Sequence, residues 1–170
     1  LGARAAEAFL EGAVERDVLL FASRVVERFG FGSARHGIEL LQGAGLEAEY
    51  ERASSVTPEM VRQAQSRIEA VVGMEALEQL QPDHLRVLHG VAQLAGEQKA
   101  YIPLQELRAW LREQALIPEG RLASLGEVVA RLSYEGFLDL LEGEPPAVAV
   151  LGAPVRALNQ RLPSLMARVR

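Results

Sequence analysis

The sequence predicts a mainly α protein made of two small helical units, the second closing in a short β-hairpin. Three observations predict it. Alanine and leucine are abundant while aromatic residues are only 5% of the chain, a composition that favours helices. Apolar residues recur at helical spacing behind clear start signals, notably Thr57-Pro58-Glu59 and Pro82-Asp83. Past Gly136 that spacing gives way to two short β-type runs around a turn.

A short first segment, Ala3–Leu10, ends before Gly12. A longer helix is expected over Glu15–Phe29, where Val18, Leu19, Ala22, Val25, Val26 and Phe29 fall on one side. Gly30-Phe31-Gly32-Ser33 then breaks the chain, and Ser33 is placed to cap the next helix. That third helix starts near Ala34 and is expected to bury Ile38, Leu41 and Gly45 or Ala48. Its glycines mark either close packing or an early end. Thr57 as N-cap and Pro58 at the first helical position start a fourth helix, with Val61, Ala64, Ile68 and Val71–Val72 on a largely apolar side.

Gly73 to Pro82 reads as the seam, with Leu77 and Leu80 in a short connecting helix able to pack on either unit. Pro82-Asp83 opens a helix that turns Leu85, Leu88, Val91, Ala92 and Ala95 inward and stops at Gly96. Another begins at Pro103 and buries Leu107, Trp110 and Leu111, with Leu104 beside them. The Pro118-Glu119-Gly120 turn leads into a third, over Leu122–Glu135, with Leu125, Val128, Val129 and Leu132 along one side. Phe137–Leu141 and Ala147–Leu151 read as paired strands around Glu142-Gly143-Glu144-Pro145-Pro146. Three helices followed by a hairpin is the element order of a winged helix. Pro154–Arg170 adds a terminal helix broken at Pro163.

At 170 residues the chain can form one ordinary domain or two small ones. Its 49% apolar content suffices for real cores, and 24% charged residues argue against general disorder. There is no cysteine, which excludes disulfides, thiol catalysis and thiolate zinc sites. No uninterrupted apolar run approaches the membrane-spanning length of about 18 residues and no secretory leader is evident, so a cytoplasmic protein without a membrane partner is expected. Arginine supplies 17 of the 18 basic side chains, within a net charge of −5. Residues 1–80 carry 8 basic and 13 acidic groups, residues 81–170 carry 10 of each. Neither half has the basic excess expected for tight, nonspecific phosphate binding. The neutral second half is the better candidate for touching DNA, because a local basic face can hide in a balanced total.

Three stretches, taken in order, point to a family. They are Arg4-Ala5-Ala6-Glu7-Ala8-Phe9 with Gly12; the run Gly32-Ser33-Ala34-Arg35-His36-Gly37-Ile38-Glu39-Leu40-Leu41-Gln42-Gly43-Ala44-Gly45; and, after Glu47-Ala48-Glu49, the run Val56-Thr57-Pro58-Glu59-Met60-Val61-Arg62-Gln63-Ala64. In this combination the chain resembles the Orc1/Cdc6 family of archaeal-type replication initiators over essentially its whole length. The resemblance implies a mainly α fold, with a helical AAA+ lid-like subdomain at residues 1–72, a connecting segment at 73–82 and a winged-helix domain with a short β-hairpin at 83–170. Members of the family are AAA+ ATPases that recognise replication origins and help load the replicative helicase. The implied role is the C-terminal portion of a DNA replication initiator, binding origin duplex DNA and coupling it to the ATP state of an AAA+ core outside this sequence. ATP and Mg2+ are implied for the complete protein and none for this stretch. The implied partners are origin-like duplex DNA, the AAA+ core, and the replicative helicase or other replication proteins.

By the resemblance Arg35 matches the sensor-2 arginine, which reaches from the lid towards the phosphates of bound ATP. Such a guanidinium, held at a helix start, offers forked donors to phosphoryl oxygens, and the backbone N–H groups there add positive potential. The plainer alternative is a surface arginine pairing with Glu39 at i+4. The sequence has no phosphate-binding P-loop and no acidic strand end for magnesium, so no catalytic residue is expected and the stretch is not an enzyme by itself.

Leu122–Glu135 takes the place of the recognition helix. The family often has paired arginines early in it; counted back from Gly136, those positions are Ala123 and Ser124. Arg121, Ser124 and Arg131 are the expected contacts to phosphate or a base edge, with a solvated helix face as the alternative. Family wings commonly carry glycine and arginine at the tip, whereas this tip holds Glu142 and Glu144, which repel DNA. Arg156 and Arg161 come after the hairpin and compensate if they fold beside it. These departures keep open a second reading, a divergent winged-helix module for protein interaction in a replication or partition complex with little DNA binding. His36, His84 and His89 share no metal-ligand spacing, so no metal is expected, and Tyr50, Tyr101 and Tyr134 form no stacking series.

Overall fold

The computed structural model describes Phe9, residues 12–68 and residues 74–168. The expected segment Ala3–Leu10 (Phe9 apart) and Val71–Val72 lie outside the described residues. Contacts within the chain divide it into two compact units, Leu1–Val71 and Val72–Arg170.

The first unit contains α1 (Arg16–Phe29), α2 (Ala34–Glu51) and α3 (Pro58–Ile68). Helix α1 is amphipathic, burying Val18, Phe21, Ala22, Val25 and Val26. Gly30 ends it, donating its N–H to the Val26 carbonyl at 2.8 Å. Phe31 and Gly32 then turn the chain with φ of 49° and 72°, and the Phe31 side chain is 96% exposed. Ser33 caps α2 by accepting from the His36 N–H at 3.5 Å.

Helix α2 runs through its glycines to Glu51, because Gly43 is a packing position. A Cβ there would lie 3.0 Å from the Ala64 Cβ on α3, tighter than an ordinary contact, so the bare Cα lets the two helices lie this close without displacing Ala64. Ile38 departs from expectation. It is 46% exposed, because the inward stripe of α2 is Gly37, Leu40, Leu41, Ala44 and Ala48, and Ile38 sits at its edge. Thr57 Oγ1 accepts from the Met60 N–H at 3.3 Å and starts α3, which is buried nearly all round, including Glu59, Arg62 and Gln65. Ile68, expected inward, is partly exposed at the helix end.

In the second unit a short 3-10 helix, Met74–Gln79, contributes Leu77 to this unit's core, with Leu80 packed against it. Helices α4 (Pro82–Ala95), α5 (Leu104–Glu113), α6 (Glu119–Leu122) and α7 (Leu125–Tyr134) come next, then strands β2 (Leu138–Leu141) and β3 (Ala147–Val150) and helix α8 (Val155–Arg168). A two-residue strand β1 (Ile102–Pro103) precedes α5 and makes the sheet three-stranded, in the antiparallel order β1-β3-β2. The register pairs Ile102 with Val148 and Leu138 with Val150. Leu85, Leu88, Val91, Leu107, Leu111, Val129, Leu132, Val148 and Leu162 meet in one core.

Three expectations change here. The helix expected over Leu122–Glu135 is two pieces, because Ala123 and Ser124 form a turn: the Ser124 N–H bonds to the Arg121 carbonyl at 3.1 Å. Trp110 is only half-buried, packed on the core's edge beside His89. Helix α8 passes through Pro163 unbroken, since Leu158, Leu162 and Leu165 anchor one side while Pro163 faces solvent, where water can satisfy the freed carbonyl. The fold is thus mostly helical with one small antiparallel sheet.

Candidate functional site

Arg35 is the second residue of α2, in the turn capped by Ser33. Its side chain is 88% exposed, and its Nε donates to Glu39 Oε1 at 3.0 Å. A solvent-exposed pair at this spacing contributes about 0–1 kcal/mol, so Glu39 holds the guanidinium loosely and can be displaced by a stronger anion. Surface pairing and phosphate reach are therefore compatible at this residue. A planar, exposed guanidinium beside a helix start suits the phosphate end of a nucleotide. No group of three His, Asp or Glu side chains converges to hold a metal ion among the described residues.

Beneath that turn lies a polar row that periodicity did not reveal. The half-buried His36 ring places Nε2 2.8 Å from Gln65 Oε1 on α3, and Gln65 is only 2% exposed. One turn earlier, Arg62 Nη1 meets Glu59 Oε2 at 3.4 Å, with both side chains almost wholly buried. The Arg62 guanidinium lies over the Phe21 ring, 4.8 Å from its centroid. The only signal in the sequence was the threefold spacing of Glu59, Arg62 and Gln65, which reads equally well as a solvated face.

In the second unit each arginine singled out for DNA is engaged by a carboxylate. Arg121, at the end of α6, donates to Asp83 Oδ2 at 3.0 Å, while Arg86 takes Asp83 Oδ1 at 2.8 Å. Arg131 on α7 donates to Glu135 at 2.6 Å and lies 5.8 Å from the centroid of the exposed Tyr134 ring. Arg156 forms a two-pronged pair with Glu97, both bonds 2.8 Å, and Arg161 reaches Glu78 at 2.6 Å. The Arg156 guanidinium holds the Glu97 carboxyl below its ordinary pKa. Arg112 does the same for Glu119 through bonds of 2.9 and 2.5 Å. Ser124 precedes α7, exposed, its hydroxyl making no capping bond. Arg121 and Ser124 share one turn; the other arginines are tied to acids from the C-cap of α7, the loop after α4 and the 3-10 helix. Glu142 and Glu144 stand exposed at the hairpin tip.

Residues 1–66 match the family model of the Cdc6 AAA+ ATPase-type lid domain. Over 94 residues the chain is 36% identical to ORC1-type DNA replication protein 2 of Haloarcula marismortui, covering 55% of this chain and 23% of that protein. The chain is thus related to Cdc6/ORC-type replication proteins, with a Cdc6-type lid over residues 1–66. Its backbone superposes on Cdc6p of Pyrobaculum aerophilum with a TM-score of 0.78 at 17% identity, covering 97% of this chain and 46% of that one, a likeness of fold alone. The ORC2 protein of Aeropyrum pernix, solved in ADPNP and ADP complexes, is 25% identical with a TM-score of 0.52, covering 98% of this chain and 44% of that one. The chain spans less than half the length of each of these proteins. Arg35 lies inside the matched lid, while the residues considered for DNA lie beyond residue 66.

Proposed function

We propose that this chain is the lid and winged-helix portion of a replication initiator, in which Arg35 answers the phosphates of ATP held by an AAA+ core and the second unit docks on origin duplex DNA. The observation that carries the reading is Arg35 itself. It sits at the start of an 18-residue helix within the Cdc6-type lid, almost fully exposed and, among the described residues, held by one exposed carboxylate. The nucleotides bound by the Aeropyrum ORC2 protein support a phosphate partner for such a lid. When ATP and Mg2+ are bound by the core, they supply the phosphoryl charge that Arg35 meets; this chain supplies the guanidinium and its aim. In the protein carrying its nucleotide-binding module, Arg35→Ala is expected to weaken ATP binding and hydrolysis while leaving the melting temperature nearly unchanged. Unaltered ATP binding and turnover in that variant would sink the assignment.

For DNA the proposed contacts are Arg121, Ser124, Arg131, Arg156 and Arg161. A second reading has its own support: the acidic tip, the Ala123-Ser124 pair where the family often has arginines, and an acid beside every proposed arginine favour a surface for a replication protein, such as the helicase, over one for DNA. Fluorescence anisotropy with duplex DNA over a salt series separates the two. Micromolar binding that weakens steeply with salt supports docking on DNA; no binding at low salt supports the protein surface.

A further inference from the structure

We propose that His36 is the positioning residue that aims Arg35, acting as a strut between the arginine's turn and helix α3. This rests on the reading of Arg35 as the phosphate-contacting group. Arg35 touches little but Glu39, so what directs it is the backbone of the first turn of α2. Ser33 caps that turn only weakly, at 3.5 Å. The firm tie is the next side chain. The His36 ring leans on the bare Cα of Gly30, where a Cβ would stand 2.7 Å from the ring Cγ, and places Nε2 2.8 Å from Gln65 Oε1. Gln65 is almost wholly buried and sits on α3, next to the buried Glu59–Arg62 pair. One face of the turn is therefore pinned to the end of α1 and to α3, while its neighbour Arg35 points into solvent.

Gln65 gives the strut a direction. Its Oε1 meets the imidazole, and its Nε2 is buried with no hydrogen-bond partner among the described residues. Among the described residues the His36 ring is the one side-chain partner of this buried amide, so loss of the ring leaves both its ends unpaired and releases the turn from α3. A misaimed guanidinium then meets the phosphates poorly even though the unit stays folded.

The test uses the protein with its nucleotide-binding module, titrated with ATP and ADP, and five variants. His36→Ala is expected to weaken ATP binding about tenfold, the equivalent of one good hydrogen bond, with ADP binding nearly unchanged. His36→Gln, whose amide can still donate to Gln65 Oε1, is expected to restore ATP preference. Gly30→Ala pushes the ring off its seat and should reproduce the His36→Ala loss, though it alters neither Arg35 nor Gln65. In the double variant Gly30→Ala with His36→Ala the two losses should not add. A merely structural role would lower ATP and ADP binding together with melting temperature, and the amide variant would not rescue. If Arg35→Ala abolishes ATP preference while His36→Ala leaves it intact, the strut is overturned and the phosphate reading stands. If Arg35→Ala changes nothing, both fall.

Discussion

The His89 ring stands edge-on to Trp110, centroids 6.0 Å apart and planes at 67°, with Nδ1 buried and unpartnered among the described residues. Burial penalises the imidazolium, so the pKa of His89 is lowered from its ordinary value of about 6.5. The unfolded chain then binds the proton more readily than the folded one. Stability contributed by neutral His89 is fully present above the unfolded pKa and is lost as pH falls through it towards the lowered folded pKa. Melting temperature is expected to drop as pH is taken below about 6.5, and Trp110, the single tryptophan, should report the same event in its emission. Glu97 and Glu119 titrate in a separate, lower window, because Arg156 and Arg112 hold their carboxyls below the usual range. In His89→Gln the drop near neutrality should vanish. A pH slope retained unchanged in that variant would assign it to another group.

Helix α3 carries the clearest case of an element whose chemistry outruns its sequence pattern. Its apolar side was legible: Val61 and Ala64 are buried, and Thr57 caps it as its residue type dictates. The buried Glu59–Arg62 pair was not legible, because what buries it is the Phe21 ring arriving from α1. Removing one member of such a pair strands the other charge, at a cost of about 3–5 kcal/mol, whereas replacing both with apolar residues of similar volume is nearly neutral. Arg62→Met alone is therefore expected to destabilise strongly in urea melts, and adding Glu59→Leu should recover most of the loss. Equal loss in the single and double variants would show that the pair contributes nothing specific. The same contrast runs through the other elements. Start and stop signals gave α1 and α4 almost residue for residue, and the start of α2 though not its end, since caps and prolines act locally while the glycines of α2 carry no stop. Ile38 was misplaced because periodicity leaves the edge of an apolar stripe undefined. Strand β1 escaped notice because two residues, one of them proline, become a strand only when Val148 lies alongside. At the candidate site, Arg35 was singled out through the family resemblance, and its exposed place after the Ser33-capped turn is as the residue order implies. The strut of His36 and Gln65 was not legible, since its two ends lie 29 residues apart.

At the scale of the whole molecule, charge decides more than any single arginine. The second half balances 10 basic against 10 acidic groups, and the guanidiniums of Arg121, Arg131, Arg156 and Arg161 each lie against a carboxylate. An exposed pair contributes only about 0–1 kcal/mol, so phosphate can displace the acid, but every exchange gives back part of what the new contact gains. The released carboxylate also stays nearby as a repelling charge. Duplex binding is thus expected to be modest, with a salt slope near −4 if about four phosphates are neutralised. If the second unit docks on DNA as proposed, the acids are expected to limit that affinity. Glu97→Gln should free Arg156 from its two-pronged pair, and Glu142→Gln with Glu144→Gln should remove the repulsion at the hairpin tip. Each change is expected to raise affinity by about two- to fivefold at low salt, under 1 kcal/mol, with the gain fading as the Debye length shortens. Charge reversal in the other sense, Arg156→Glu, should lower affinity and flatten the slope by about one unit. Should Glu97→Gln leave binding unaltered while Arg156→Glu destroys it, Arg156 reaches DNA without leaving Glu97, and the pair acts as one preformed contact instead of a competitor.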